Sequence, residues 1–118
     1  MGKSRTVQGE IVLPAAGVSP GPADVIVFVE DVSRADAPSV VIGEQRQNGV
    51  LLRPGLRFPF AVQIPNELID ERNLYSVRAH VDKSGSGEVK TGDFVSTQTY
   101  PVLTRGYGTS VTINVRRV

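Results

Sequence analysis

The stretch ADVIVFVEDV, residues 23–32, decides the fold class of this 118-residue chain. Three valines alternate in one phase of the stretch, and Ile26 and Phe28 occupy the opposite phase. Alternation with a period of two indicates a β-strand, which β-branched and aromatic residues also favour. Because both phases are apolar, the strand is expected to be central in a sandwich or covered on its second face.

Similar alternation on both sides of this stretch predicts a chain built of strands, separated at short intervals by proline and glycine. Asn48-Gly49 is expected to form a turn, and Pro59 is expected at a sheet edge or a bulge because it cannot donate to a ladder. The predicted strands are Thr6–Leu13, Ala23–Val32, Ser39–Gln45, Arg57–Ile64, Leu74–Asp82, Glu88–Tyr100 and Thr109–Arg117.

This pattern predicts an all-β fold, an antiparallel β-sandwich of seven to eight strands in one domain that spans residues 1–118. A small β-barrel is the alternative. The expected core consists of Val25, Val27, Val29, Phe60, Val62, Tyr75, Val77, Val81, Val111 and Ile113.

Composition excludes several classes of function. Thirteen Lys and Arg against twelve Asp and Glu leave a net charge of +1, which provides no field for holding nucleic acid. There is no cysteine and a single histidine, so a thiolate metal site, a disulfide framework and a cysteine nucleophile are excluded. The apolar runs are too short for a membrane helix. We therefore expect no cofactor, no nucleic-acid partner and no transmembrane segment.

Two segments resemble chemical sites without matching them. The single histidine, His80, lies in the polar phase of its strand, where an exposed side chain is expected and a general base is the alternative. Asp82 to Gly87, followed by Asp93, partly matches a calcium loop, but its third and fifth positions are serine and its flanks are predicted strands. We expect a solvated hairpin loop there, no metal site and no catalytic residue.

One string, EDVSRADAP at residues 30–38, resembles the YbaY/YscW-like family of small bacterial proteins. The rest of the chain, about residues 7–117, follows the family in order. The stretches YSVRA at 75–79 and PVLTRG at 101–106 resemble its later motifs, and Leu13-Pro14 precedes the first one.

The resemblance implies a β-sandwich without enzyme activity and a bacterial envelope protein that serves as a pilotin-like binding or assembly module. In pilotin members of the family the partner is a secretin subunit, so a secretin or another envelope component is the expected partner. The lipoprotein members carry their lipid on a cysteine, which these 118 residues lack. A place in the envelope or periplasm is therefore expected if a leader was removed, and the cytoplasm otherwise.

The motif also has a direct physical interpretation. Asp31 is expected to accept amide hydrogens from the turn that begins at Ser33, and Arg34 and Asp36 to brace the same loop. Pro38 is expected to launch the next strand. These five residues form a structural corner or, alternatively, a partner contact.

A second candidate for partner binding is the outer phase of two strands, which carries Ile26, Phe28, Val40 and Ile42. Side by side, these residues would form an exposed apolar patch of a kind that soluble monomers rarely leave uncovered. Either a loop covers the patch or a peptide or second copy docks there, which makes a homodimer one alternative. A carbohydrate-binding β-sandwich module is the alternative function, although such modules usually need exposed aromatic residues and only 6% of this chain is aromatic.

Overall fold

The computed structural model describes residues 3–118, which form eight β-strands and one turn of 3₁₀ helix, Asn66–Leu68. The all-β prediction is therefore confirmed. None of the helical segments in this part of the chain has the length and apolarity needed to cross a membrane. The strands are β1 Ser4–Val12, β2 Gly21–Asp31, β3 Val40–Leu52, β4 Arg57–Pro65, β5 Tyr75–Asp82, β6 Phe94–Ser96, β7 Pro101–Val102 and β8 Ser110–Arg117.

The strands follow one another in a single curved sheet, in the order β3-β2-β5-β6-β8-β1-β4, with β7 paired to β5. The two end strands, β3 and β4, approach each other, so the sheet is a nearly closed barrel, as in the barrel alternative. All pairs are antiparallel except β1 and β8, which run parallel from Gln8–Ser110 to Val12–Asn114. The prediction of a wholly antiparallel fold is wrong for this pair. Strand β8 is also the link that joins the β1–β4 pair to the other strands.

Side chains rather than a backbone ladder hold the seam between β3 and β4. The Gln45 Oε1 atom accepts the Ala61 amide hydrogen at 3.0 Å, and the Gln47 Nε2 atom donates to the Pro59 carbonyl at 3.0 Å. Because Pro59 lies on an edge strand, as expected, its missing N–H breaks no ladder. Two glutamine amides thus act as substitutes for peptide groups across the seam.

The core fills the barrel with the inner phase of each strand. The valines of β2 at positions 25, 27 and 29 are fully buried, and β4 alternates exposed and buried residues from Arg57 to Ile64. Every residue of the expected core is buried except Val111, which is partly buried and packs against the others. The phase assignment from the sequence is therefore confirmed for these strands.

Two predicted boundaries are wrong. Asn48-Gly49 is not a turn but part of the 13-residue strand β3, where Gly49 has φ = +66° and a register shift lies opposite Asp24. The predicted strand Glu88–Tyr100 is reduced to Phe94–Ser96, and residues 83–93 form a loop instead.

Candidate functional site

The motif residues build a hydrogen-bonded corner at one end of the barrel. Asp31 forms the Asx turn that the sequence predicts: its Oδ1 accepts the Ser33 amide hydrogen at 2.9 Å and the Ser33 hydroxyl hydrogen at 2.6 Å. The Ser33 Oγ in turn accepts the Leu74 amide hydrogen at 2.8 Å, and the Asp31 Oδ2 accepts a hydrogen from the Asn73 side chain at 2.9 Å. One carboxylate therefore ties the end of β2 to the start of β5.

These hydrogen bonds also set the protonation of the corner. Partial burial alone would raise the pKa of Asp31, but the hydrogen bonds from Ser33 and Asn73 outweigh it and hold the pKa below its ordinary value. Asp31 therefore stays ionised at neutral pH, and both of its carboxylate oxygens accept hydrogen bonds within the corner.

The stretch PVLTRG converges on the same corner from the other side. The buried Thr104 donates its hydroxyl hydrogen to the Asn73 carbonyl, while Leu103 and Arg105 on either side have φ values of +76° and +60°. Residues other than glycine rarely adopt this left-handed region, which costs about 1–2 kcal/mol each. The three motifs that are far apart in the sequence thus meet in one place, and the strain is concentrated beside it.

The remaining corner residues face solvent. Arg34, Asp36 and Pro38 are exposed, and no side-chain hydrogen bond or ion pair joins Arg34 or Asp36 to residues 3–118. The expected bracing by these two side chains is absent, and β3 begins at Val40, one residue later than the predicted start at Ser39.

The four residues predicted as an apolar partner surface do not form one exposed patch. Ile26 is buried, and Ile42 packs against the core because a register shift after Val29 changes the phase of β3. Phe28 is half-buried beneath Arg78, whose guanidinium carbon lies 4.2 Å from the ring centroid. Val40 remains 62% exposed, and partner binding by these residues stays a prediction.

Arg78 and Glu30 complete this outer face. The Arg78 Nε and Nη2 atoms donate to the two carboxylate oxygens of Glu30, at 3.0 and 3.2 Å. Glu30 also accepts the Ser39 hydroxyl hydrogen at 2.9 Å. The polar groups beside Phe28 are therefore paired with one another.

A buried polar cluster that the sequence pattern does not indicate lies at the opposite end of the barrel. His80, expected to be exposed, is 3% exposed, and its Nε2 lies 2.8 Å from the Asp93 Oδ2. Asp82 and Asp93 are each 1% exposed. One atom of each of the three residues that could coordinate a metal ion lies within 4.8 Å of the other two. The prediction of an exposed histidine is wrong because the loop of residues 83–93 returns over the outer face and brings Asp93 with it.

The carboxylate oxygens of this cluster are taken up by the loop. Asp82 accepts amide hydrogens from Gly85 and Gly87 at 2.9 and 2.8 Å, and Asp93 accepts those of Lys83 and Lys90 at 3.0 and 3.1 Å. Burial would raise the pKa of both acids, but these hydrogen bonds, with that from His80 to Asp93, keep each pKa below its ordinary value. By accepting these hydrogen bonds, the two buried carboxylates hold the loop of residues 83–93 in its conformation.

Comparisons with known proteins point to one family. The family model described as type III secretion system lipoprotein chaperone (YscW) matches residues 2–115. The solved structure of an alternative pilotin from the type II secretion system of Vibrio cholerae superposes with a TM-score of 0.78, at 26% sequence identity over 98% of each chain. Among curated proteins, none matches the sequence of this chain.

Proposed function

Because the chain belongs to the YscW family of type III secretion system lipoprotein chaperones, we propose that it is a non-enzymatic assembly module that binds a secretin subunit. The observation that carries the proposal is the coverage: the family match extends over residues 2–115, and the likeness to the pilotin covers 98% of both chains. The whole domain, rather than a shared fragment, therefore resembles proteins of bacterial type II and type III secretion systems.

The geometry supports a binding role. Within the corner, and separately within the buried cluster around His80, the polar groups form hydrogen bonds with one another. The carboxylates of both sites accept hydrogen bonds from nearby donors. His80 and Asp93 are only 3% and 1% exposed, whereas a catalytic acid or base must come within hydrogen-bond reach of its substrate. The motif segments that resemble the family together support one rigid end of the barrel.

The proposal is tested with the secretin of the bacterium that encodes this chain. The purified chain, carrying an affinity tag, is mixed with the detergent-solubilised secretin, and retention is measured against a tagged domain of unrelated fold. We expect specific retention of the secretin, and fewer secretin multimers in the outer-membrane fraction of a strain that lacks this chain.

Two results would count against the proposal. One is a secretin that does not bind the chain at concentrations of tens of micromolar. The other is a deletion strain with an unchanged amount of assembled secretin. Binding without an effect on assembly would retain the partner and remove the assembly role.

A further inference from the structure

Two grooves flank Ser33 at the corner end of the barrel. The first has a volume of about 440 Å³ and is lined by Ser33, Arg72, Leu74, Arg105 and Tyr107. The second, of about 310 Å³, runs on the other side of Ser33 past Arg34, Pro38 and Val40. Because Ser33 lines both, the grooves form one continuous surface, which we call the double groove.

Each groove contains an arginine that makes no ion pair within residues 3–118. Arg105 donates from Nη1 to the Arg72 carbonyl at 3.2 Å, and it makes no ion pair within residues 3–118. Arg34 likewise has no ion pair in the part of the chain that the structure describes. The left-handed backbone of Arg105 fixes the direction in which its side chain leaves the loop. Strain of this kind persists where the surroundings enforce it, and it is frequent at binding sites.

The charged residues that line the double groove are three arginines, Arg34, Arg72 and Arg105, and one acid, Asp31. Asp31 keeps its negative charge in the second groove, where its oxygens accept hydrogen bonds from Ser33 and Asn73. Outside the grooves, Asp70 accepts two hydrogen bonds from the Arg72 guanidinium. Asp36, Glu67 and Glu71 line neither groove, so the walls of the double groove have an excess of positive charge.

Apolar surface accompanies the two arginines. Val40 is 62% exposed beside Arg34, and Tyr107 is 48% exposed beside Arg105. A guanidinium binds a carboxylate with two parallel hydrogen bonds, and an adjacent apolar side chain adds contact area. Two charges in separate grooves, each with its own apolar neighbour, suit a chain segment better than the compact head group of a lipid.

We propose that the double groove binds an acidic peptide segment of the secretin partner, with one carboxylate on Arg34 and another on Arg105. This inference rests on the proposed function and names the surface and the chemistry of the partner. The segment lies across Ser33 and places apolar side chains on Val40 and Tyr107.

The test uses biotinylated 20-residue peptides that tile the secretin of the same bacterium, and measures Kd by biolayer interferometry. The variant is R34E/R105E, and the matched control is R46E/R53E, which changes the charge equally at two exposed arginines without ion pairs within residues 3–118 and outside the double groove. R34Q/R105Q replaces the first variant if thermal melting shows that it does not fold.

We expect acidic peptides to bind the unmodified chain, and Kd to rise tenfold or more in R34E/R105E and less than threefold in R46E/R53E. Binding should weaken as NaCl is raised from 50 to 300 mM. Lysine in place of the acidic residues of a bound peptide should restore binding to R34E/R105E.

Equal binding by the unmodified chain and R34E/R105E, or an equal loss in the control, would overturn the inference and leave the proposed function standing. Binding of phosphatidylglycerol vesicles instead of peptides, with the same dependence on the two arginines, would also overturn it. If neither peptides nor the full-length secretin bind the unmodified chain, the proposed function fails as well.

Discussion

Replacing Gly9 by alanine tests the parallel pairing of β1 and β8. A Cβ atom at this position would lie 1.6 Å from the Val111 carbonyl oxygen and 2.8 Å from its carbon. Ordinary contact begins near 3.4 Å, and the obstacle is backbone, so the two strands must separate by about 2 Å. Ladder hydrogen bonds do not survive such a shift, and two or three lost bonds amount to about 3 kcal/mol in the free energy of unfolding.

The measurement is a urea titration followed by far-UV circular dichroism, together with a thermal melt. For a domain of this size a loss of about 3 kcal/mol lowers Tm by roughly 12 °C. The matched control is Gly108→Ala, because Gly108 has open space around it and a φ outside the left-handed region. A Gly9→Ala variant that melts within about 2 °C of the parent would refute the parallel register.

Two further predictions concern the buried acids. Asp93→Asn should destabilise the fold by about 2–4 kcal/mol, because the asparagine side chain cannot accept hydrogen bonds from His80 and both loop amides at once. The control Asp36→Asn, at an exposed acid, should change the free energy of unfolding by less than about 0.5 kcal/mol. Equal urea midpoints for the two variants would contradict a structural role for Asp93 in holding the loop. Three acids, Asp31, Asp82 and Asp93, have pKa values below the ordinary 3.8, so their contribution to stability is complete above that pH and is lost as pH falls through the lower folded values. Urea midpoints measured from pH 7 down to pH 2 should stay level with respect to these groups until about pH 4 and then fall, and a midpoint that rises below pH 4 would contradict the assignment.

The strand phases could be predicted from the sequence because burial and alternation are local properties. The valines of β2 and the aromatic and aliphatic residues of β4 show which side chains point inward, whatever strand lies beside them. The pattern does not show which strand pairs with which. Nothing in the spacing of Gln8 and Ser110 indicates that they pair in parallel, since register depends on contacts between distant segments.

In the candidate site, too, local features could be predicted and contacts between distant segments could not. The Asx turn at Asp31 follows from residues two positions apart, and it was therefore predictable. The His80–Asp93 contact could not be predicted, because it depends on how a glycine-rich loop returns over the sheet. The one signal available was the pair of acids at the two ends of that loop, which are suitable acceptors for its amide hydrogens. The prediction of a turn at Asn48-Gly49 was wrong because a glycine with positive φ is suited to a β-bulge as well as to a turn.

The position of β8 has a consequence for the order of events during synthesis. Before Ser110–Arg117 leaves the ribosome, the β1–β4 pair and the group that contains β2, β3 and β5 are two partial sheets without a shared ladder. Each of them then presents an apolar face to water, and closing contacts between residues as distant as Gln8 and Ser110 is intrinsically slow. The barrel therefore cannot close until Ser110–Arg117 is available, and in that interval the exposed apolar faces of the two partial sheets make the nascent domain prone to aggregation.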